Sequence, residues 1–141
     1  MYPDSHAILV IDDDPERRED AAAILRAEGF PVTTVAEGFA GLRVIGEDRL
    51  SLVIAAMHLP GTLDGVATMR RARAKRPGLR FLLVADYPDM PLWPTHDADD
   101  VIAAPFHRWE LLGCVFELLG RDVRGDAIDL GRRARTERWA S

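Results

Sequence analysis

Leu52-Val53-Ile54-Ala55-Ala56-Met57-His58-Leu59-Pro60-Gly61 decides how this chain folds. The run begins with unbroken apolar residues, shows no polar alternation, and stops at a Pro-Gly pair. Such a segment fits a strand buried on both faces. A second run of the same kind, His6-Ala7-Ile8-Leu9-Val10-Ile11, lies upstream and ends in Asp12-Asp13-Asp14. Asp14 is placed to cap a helix whose first residue is Pro15. In that helix Ala21, Ala22, Ile24, Leu25 and Glu28 recur at near-helical spacing, and Gly29 stops it. Residues 31–35 give a weaker strand. Residues 38–46 give a short helix with Phe39, Leu42 and Ile45 on one face.

Downstream of the central run, Gly61-Thr62-Leu63-Asp64-Gly65 reads as a turn. Residues 66–76 form a third helix, with Val66, Met69 and Ala72 inward, four arginines outward, and Pro77-Gly78 as its stop. Residues 81–84 and 101–103 are short strands, and residues 109–119 are an amphipathic helix ending at Gly120. Strands joined by helices imply a parallel sheet covered on both faces. In such sheets ligands bind outside the carboxyl ends of the strands. The positions to inspect are therefore Asp12, Asp13, Ala56, Ala85 and Ala104.

At 141 residues, 48% hydrophobic and 29% charged, the chain reads as one globular domain. A net charge of −5 argues against a nucleic-acid surface over the whole domain. Residues 121–141 hold six Arg against four acids, so this Arg-rich end is about +2 and residues 1–120 about −7. The longest apolar stretch is far short of the ~20 residues of a membrane span. The N-terminus has no cationic apolar segment, so a cytoplasmic location is expected. The lone Cys114, among apolar neighbours, reads as core packing.

Three motifs stand together: the acidic pair Asp12-Asp13 after the first strand, Leu59-Pro60-Gly61 with Asp64-Gly65 after the third, and Pro105-Phe106 after the fifth. Over residues 6–120 the chain resembles the receiver domain of bacterial response regulators. The resemblance implies a CheY-like, flavodoxin-like α/β fold: a three-layer, doubly wound, five-stranded parallel sheet of order 2-1-3-4-5. It divides the chain into a receiver-like domain, residues 1–120, and an extension, residues 121–141. It also implies that Asp12 and Asp13 match the pair that holds Mg²⁺, with a carbonyl at His58 as a further ligand.

At the other family positions this sequence departs from the pattern. Ala56 stands where the resemblance implies the phosphoacceptor aspartate. Ala85 stands for a Thr or Ser hydroxyl, Ala104 for a Lys, and Val101 for an aromatic switch. Phosphoryl transfer depends on positioning and charge stabilisation, so these departures point to a degenerate receiver with no enzymatic activity. No cofactor is required on this reading, and Mg²⁺ binding is weak or vestigial. Pro105 is expected to follow a cis peptide bond, again by resemblance.

Several residues keep two readings. Asp12 and Asp13 are a weak metal site or an acidic remnant, since adjacent carboxylates disfavour each other's charge unless a cation compensates. Asp86 is a replacement acid or an exposed loop carboxylate, and His58 a polar group at the site mouth or an exposed loop residue. Residues 86–99 hold Pro88, Pro91 and Pro94, which suit a loop or a poor helix. Met90, Leu92 and Trp93 within that stretch either plug the core edge or form a partner-contact patch.

The leading expectation is a stand-alone receiver acting by phosphorylation-independent protein–protein contact. Its partner is a histidine kinase or another signalling protein, with a homodimer as an alternative, and neither nucleic acid nor membrane is expected. A metal- or small-molecule-responsive pocket is the runner-up. A phosphorelay receiver using Asp13 or Asp86 as substitute acceptor comes third.

Overall fold

The computed structural model describes residues 6–86 and 98–120. The two apolar runs become the centre of a parallel sheet. Ile8–Ile11 forms β1 and Leu52–Ala56 forms β3, every residue of both buried. Val32–Val35 (β2) pairs with β1 on one side, and Arg80–Asp86 (β4) pairs with β3 on the other. Asp100–Ala104 (β5) closes the sheet beside β4. The order is β2-β1-β3-β4-β5, all parallel. The expected order is therefore the observed one.

Four helices join or follow these strands: α1, Pro15–Ala27; α2, Gly38–Glu47; α3, Gly65–Lys75; and α4, Arg108–Leu119. Each start has a local cause. Asp14 caps α1 as expected, its side chain accepting from the amides of Glu16 and Arg17. Asp64 caps α3 by accepting from the Ala67 amide at 2.8 Å. At α4 the Glu110 carboxylate accepts from the His107 amide at 2.9 Å, half of a capping box.

Alternation along the strands splits the core between two faces. Ile8, Val10, Ile54, Leu82 and Ile102 pack with Leu25 of α1 and Leu111, Val115 and Phe116 of α4. Leu9, Ile11, Val53, Phe81 and Leu83 pack with Ile45 of α2 and Met69 and Ala72 of α3. Cys114 is fully buried in the first of these clusters, as its apolar neighbours suggest.

Two expectations need correction. Phe39 does not face inward with Leu42 and Ile45; it is 47% exposed, with the Arg71 guanidinium 5.8 Å from its ring centroid. The inward face of α2 carries Gly38 and Gly41 instead. A Cβ at Gly41 would lie 2.4 Å from Ile11 Cδ1, and one at Gly38 would lie 2.5 Å from Thr68 Oγ1. The helix sits so close to Ile11 of the sheet and to Thr68 of α3 that only hydrogen fits at Gly41 and Gly38, and Phe39 is left facing out.

The four arginines of residues 66–76 are also not uniformly outward. Arg73 and Arg76 are half-buried. Arg76 donates to the carbonyls of Ile45 and Asp48 at 2.8 and 2.9 Å. Arg73 donates to Asp99, whose carboxylate also accepts from the Phe81 amide at 2.8 Å. That pair fixes the chain where it re-enters the sheet at β5.

Met90, Leu92 and Trp93, with the three prolines around them, lie outside the described residues, as does the extension 121–141. No helix among the described residues is long and apolar enough to cross a membrane.

Candidate functional site

The carboxyl ends of the strands form a rim of mixed character. Ala56 ends β3, Ala85 is the penultimate residue of β4, and Ala104 ends β5. All three are buried. Ala56 lies opposite Val84, Ala85 opposite Ala103, and Ala104 opposite Asp86. They share one rim but not one face. Ala56 and Ala85 belong to the cluster under α2 and α3, whereas Ala104 belongs to the cluster under α1 and α4. Val101 is buried within β5 on the α2/α3 side. The Ala104–Pro105 peptide bond is cis, as the resemblance implies.

Gly65 brings α3 down onto this rim. Its amide donates to the Met57 carbonyl at 3.0 Å. A Cβ there would come within 2.1 Å of the Ala56 carbonyl oxygen. His58, two residues beyond Ala56, is exposed.

The acidic pair is divided by burial. Asp13 is exposed, while Asp12 is 4% exposed and one of only two buried polar or charged residues among those described. Arg17, in the first turns of α1, meets it with two bonds. Its Nε lies 2.5 Å from Asp12 Oδ2 and its Nη2 2.9 Å from Asp12 Oδ1. The remaining arm, Nη1, reaches Asp86 Oδ1 at 2.9 Å. Oδ1 of Asp12 also accepts from the Asp14 amide at 3.0 Å. Arg18 donates to the Asp12 carbonyl at 3.0 Å.

A guanidinium suits this task. Its planar fork matches a carboxylate with two bonds and leaves a third direction for another acid. The hydrogen bonds to Asp12 push the Arg17 pKa up, the charges of Asp12, Asp86 and Asp14 add to this, and burial opposes them. Arg17 is thus held charged. Asp86 is exposed, yet it ends a strand and shares the cation of Asp12 instead of standing alone in a loop.

The premise of an uncompensated acidic pair therefore fails. The missing cation is on the chain, and the sequence reading overlooked it. The available signal was Arg17 itself, a cation three residues past the cap of α1 and five past Asp12. The residues present do not fit a hydrated Mg²⁺, because both Asp12 oxygens are already engaged by Arg17. No group of three His, Cys, Asp or Glu side chains among the described residues is arranged to hold a metal. Beside the rim lies a cleft of about 570 Å³, with Asp14, Glu16, Arg17, Asp20 and Asp86 around it and Phe106 in its wall.

Comparison with known proteins agrees with the fold. Residues 8–115 match the response regulator receiver domain family. The transcriptional activator protein PfeR of Pseudomonas aeruginosa is 38% identical over 135 residues, 94% of this chain and 43% of that protein. The DNA-binding response regulator MtrA of Mycolicibacterium smegmatis is 34% identical over 128 residues, 88% of this chain and 56% of that protein. The chain thus spans about half the length of the curated relatives it matches. Among solved structures, the CheY-like receiver domain protein of Methanospirillum hungatei superposes with a TM-score of 0.73 at 27% identity. That match covers 81% of this chain and 93% of the other. With that family matched over residues 8–115, relatives above 30% identity over most of the chain and this sheet order, the chain belongs to the response regulator receiver domain family.

Proposed function

We propose that this receiver domain signals by protein–protein contact without aspartyl phosphorylation. One observation carries the reading: Ala56, Ala85 and Ala104 line the carboxyl rim, where the family resemblance implies the acceptor, hydroxyl and cation. A methyl group neither attacks phosphorus nor stabilises a developing acyl phosphate. Asp13 and Asp86, the candidates for a substitute acceptor, are exposed, and Asp86 is engaged by Arg17.

The partner we assign is a signalling protein, either a histidine kinase or another component of a two-component system. The relatives' names, a transcriptional activator and a DNA-binding response regulator, weaken the expectation that nucleic acid has no part in the wider system. To residues 6–86 and 98–120 we assign the protein contact alone. Residues 1–120 would be the receiver unit and 121–141 its extension.

The test is incubation with Mg²⁺ and a small-molecule phosphodonor, read by intact mass beside a conventional receiver. The expected result is a phosphoryl adduct on the control only. A hydroxylamine-labile phosphoryl adduct on this chain, mapped to Asp13 or Asp86, would overturn the reading.

A further inference from the structure

We propose that Arg17 is a built-in cation that ties β1 to β4 in place of the Mg²⁺ implied by the family resemblance, making the rim insensitive to divalent ions. The inference concerns the same rim as the function above but does not rest on the absence of phosphorylation. A receiver could lose its acceptor and keep its metal, or the reverse.

Three observations support it. First, Arg17 and the Asp14 amide occupy three of the roughly four lone-pair sites of the Asp12 carboxylate. One oxygen receives Nε, and the other receives both Nη2 and the Asp14 amide. Mg²⁺ demands near-octahedral oxygen ligands at ~2.0–2.1 Å. Any ion that close to an Asp12 oxygen would stand against a guanidinium bonded to the same atom. Second, the third arm of Arg17 crosses to Asp86 on another strand. The side chain therefore links two structural elements, as a shared ligand would. Third, Arg17 is positioned before it binds: it lies in the first turns of α1, and its own amide is bonded to the capping Asp14. Releasing it for a metal would break its bonds to both Asp12 and Asp86. It would also leave a cation beside a dication.

The tether has a consequence for signalling. Asp86 is the last described residue before the segment 87–97. In this chain the exit point of that segment is fixed by an internal charge, which no change in metal concentration can release. Arg17 acts here as a positioning residue.

Amide NMR of the full chain in MgCl₂, against NaCl of matched ionic strength, tests this. In the wild type the amides of Asp12, Asp13, Asp14 and Asp86, and the Nε–H signal of Arg17, are expected to stay in place through millimolar Mg²⁺. In Arg17→Gln, the same amides are expected to shift saturably with Mg²⁺. Saturable wild-type shifts accompanied by loss of the Arg17 Nε–H signal would overturn the proposal. So would a folded Arg17→Gln protein that remains silent to Mg²⁺. Saturable wild-type shifts overturn the proposal even if the variant does not fold. The phosphodonor experiment is read separately, so the two proposals fail independently.

Discussion

The same substitution, glycine to alanine, should have opposite effects at Gly65 and Gly46. At Gly65 the added Cβ would lie 2.1 Å from the Ala56 carbonyl oxygen and 2.9 Å from its carbonyl carbon. A carbon–oxygen contact relaxes near ~3.3 Å, so α3 and the end of β3 must separate by about 1 Å. The obstacle is backbone, with no rotamer to yield. Overpacking of this kind costs about 1–3 kcal/mol, and strain on the Gly65–Met57 hydrogen bond adds about 1 kcal/mol. Lower backbone entropy in the unfolded chain returns ~0.5–1 kcal/mol. The net is a loss of about 1–3.5 kcal/mol.

At Gly46 nothing lies within 4 Å of the added atom, the residue is exposed within α2, and its φ is not positive. Only the helix-propensity gain remains, up to about 1 kcal/mol. Urea unfolding followed by far-ultraviolet circular dichroism measures both. With a slope of about 1–3 kcal/mol/M, Gly65→Ala should lower the midpoint by roughly 1 M, and Gly46→Ala should raise it slightly. Amide shifts in Gly65→Ala should centre on Ala56 and Met57. If Gly65→Ala proved as stable as the wild type, or both variants moved the same way, the close approach of α3 to the rim would be wrong.

Ile45→Ala should cost about 2–5 kcal/mol, whereas Phe39→Ala should cost under ~1 kcal/mol, the scale of an exposed cation–π contact. Comparing their urea midpoints checks which of the two faces the sheet. Cys114 should resist a thiol reagent in the native protein and react only as fast as the fold opens, with the rate rising through the urea transition. Because the Arg17 pKa is raised in the fold, its contribution is complete below its unfolded value and fades only in stronger alkali. The stability difference between wild type and Arg17→Gln should therefore hold constant from about pH 7 to 10, a range below the ordinary arginine pKa. A decline within that range, measured by denaturation at each pH, would contradict it.

The sheet and its helices were legible because each strand is a short apolar run and each helix carries its own stop or cap. What escaped was information that periodicity cannot hold. Phe39 belongs to a plausible apolar stripe, but the close approach of α2 to Ile11 and Thr68 favours a glycine face, and hydropathy does not register hydrogen as a packing surface. Arg17 escaped for a different reason. Asp12 lies five positions from it, but Asp86 lies at the end of β4, sixty-nine positions away, so local spacing announces only half of the bridge. Asp12 was noticed because its type and position are conspicuous, yet its burial and its partner are properties of the folded rim alone. The expectations for Met90, Leu92 and Trp93 fall outside the described residues and stand as they were.

The two arginine anchors give the domain an exchangeable cassette. Arg17 holds the chain at Asp86, and Arg73 holds it again at Asp99. These anchors lie at opposite ends of adjacent strands, since Asp86 faces Ala104 while Leu82 faces Asp100. The intervening chain must run back along four residues of sheet, about 13 Å at ~3.3 Å per residue. Parallel crossovers need about a dozen residues, and positions 87–99 supply little more than that. Insertions there should be tolerated, because doubling a loop's length costs only ~0.6 kcal/mol. Deletions should be tolerated less, because a parallel crossover needs about a dozen residues although far fewer would span the distance. New sequence can thus be tried between Asp86 and Asp99 with both anchors kept, provided that it is never shorter than the old.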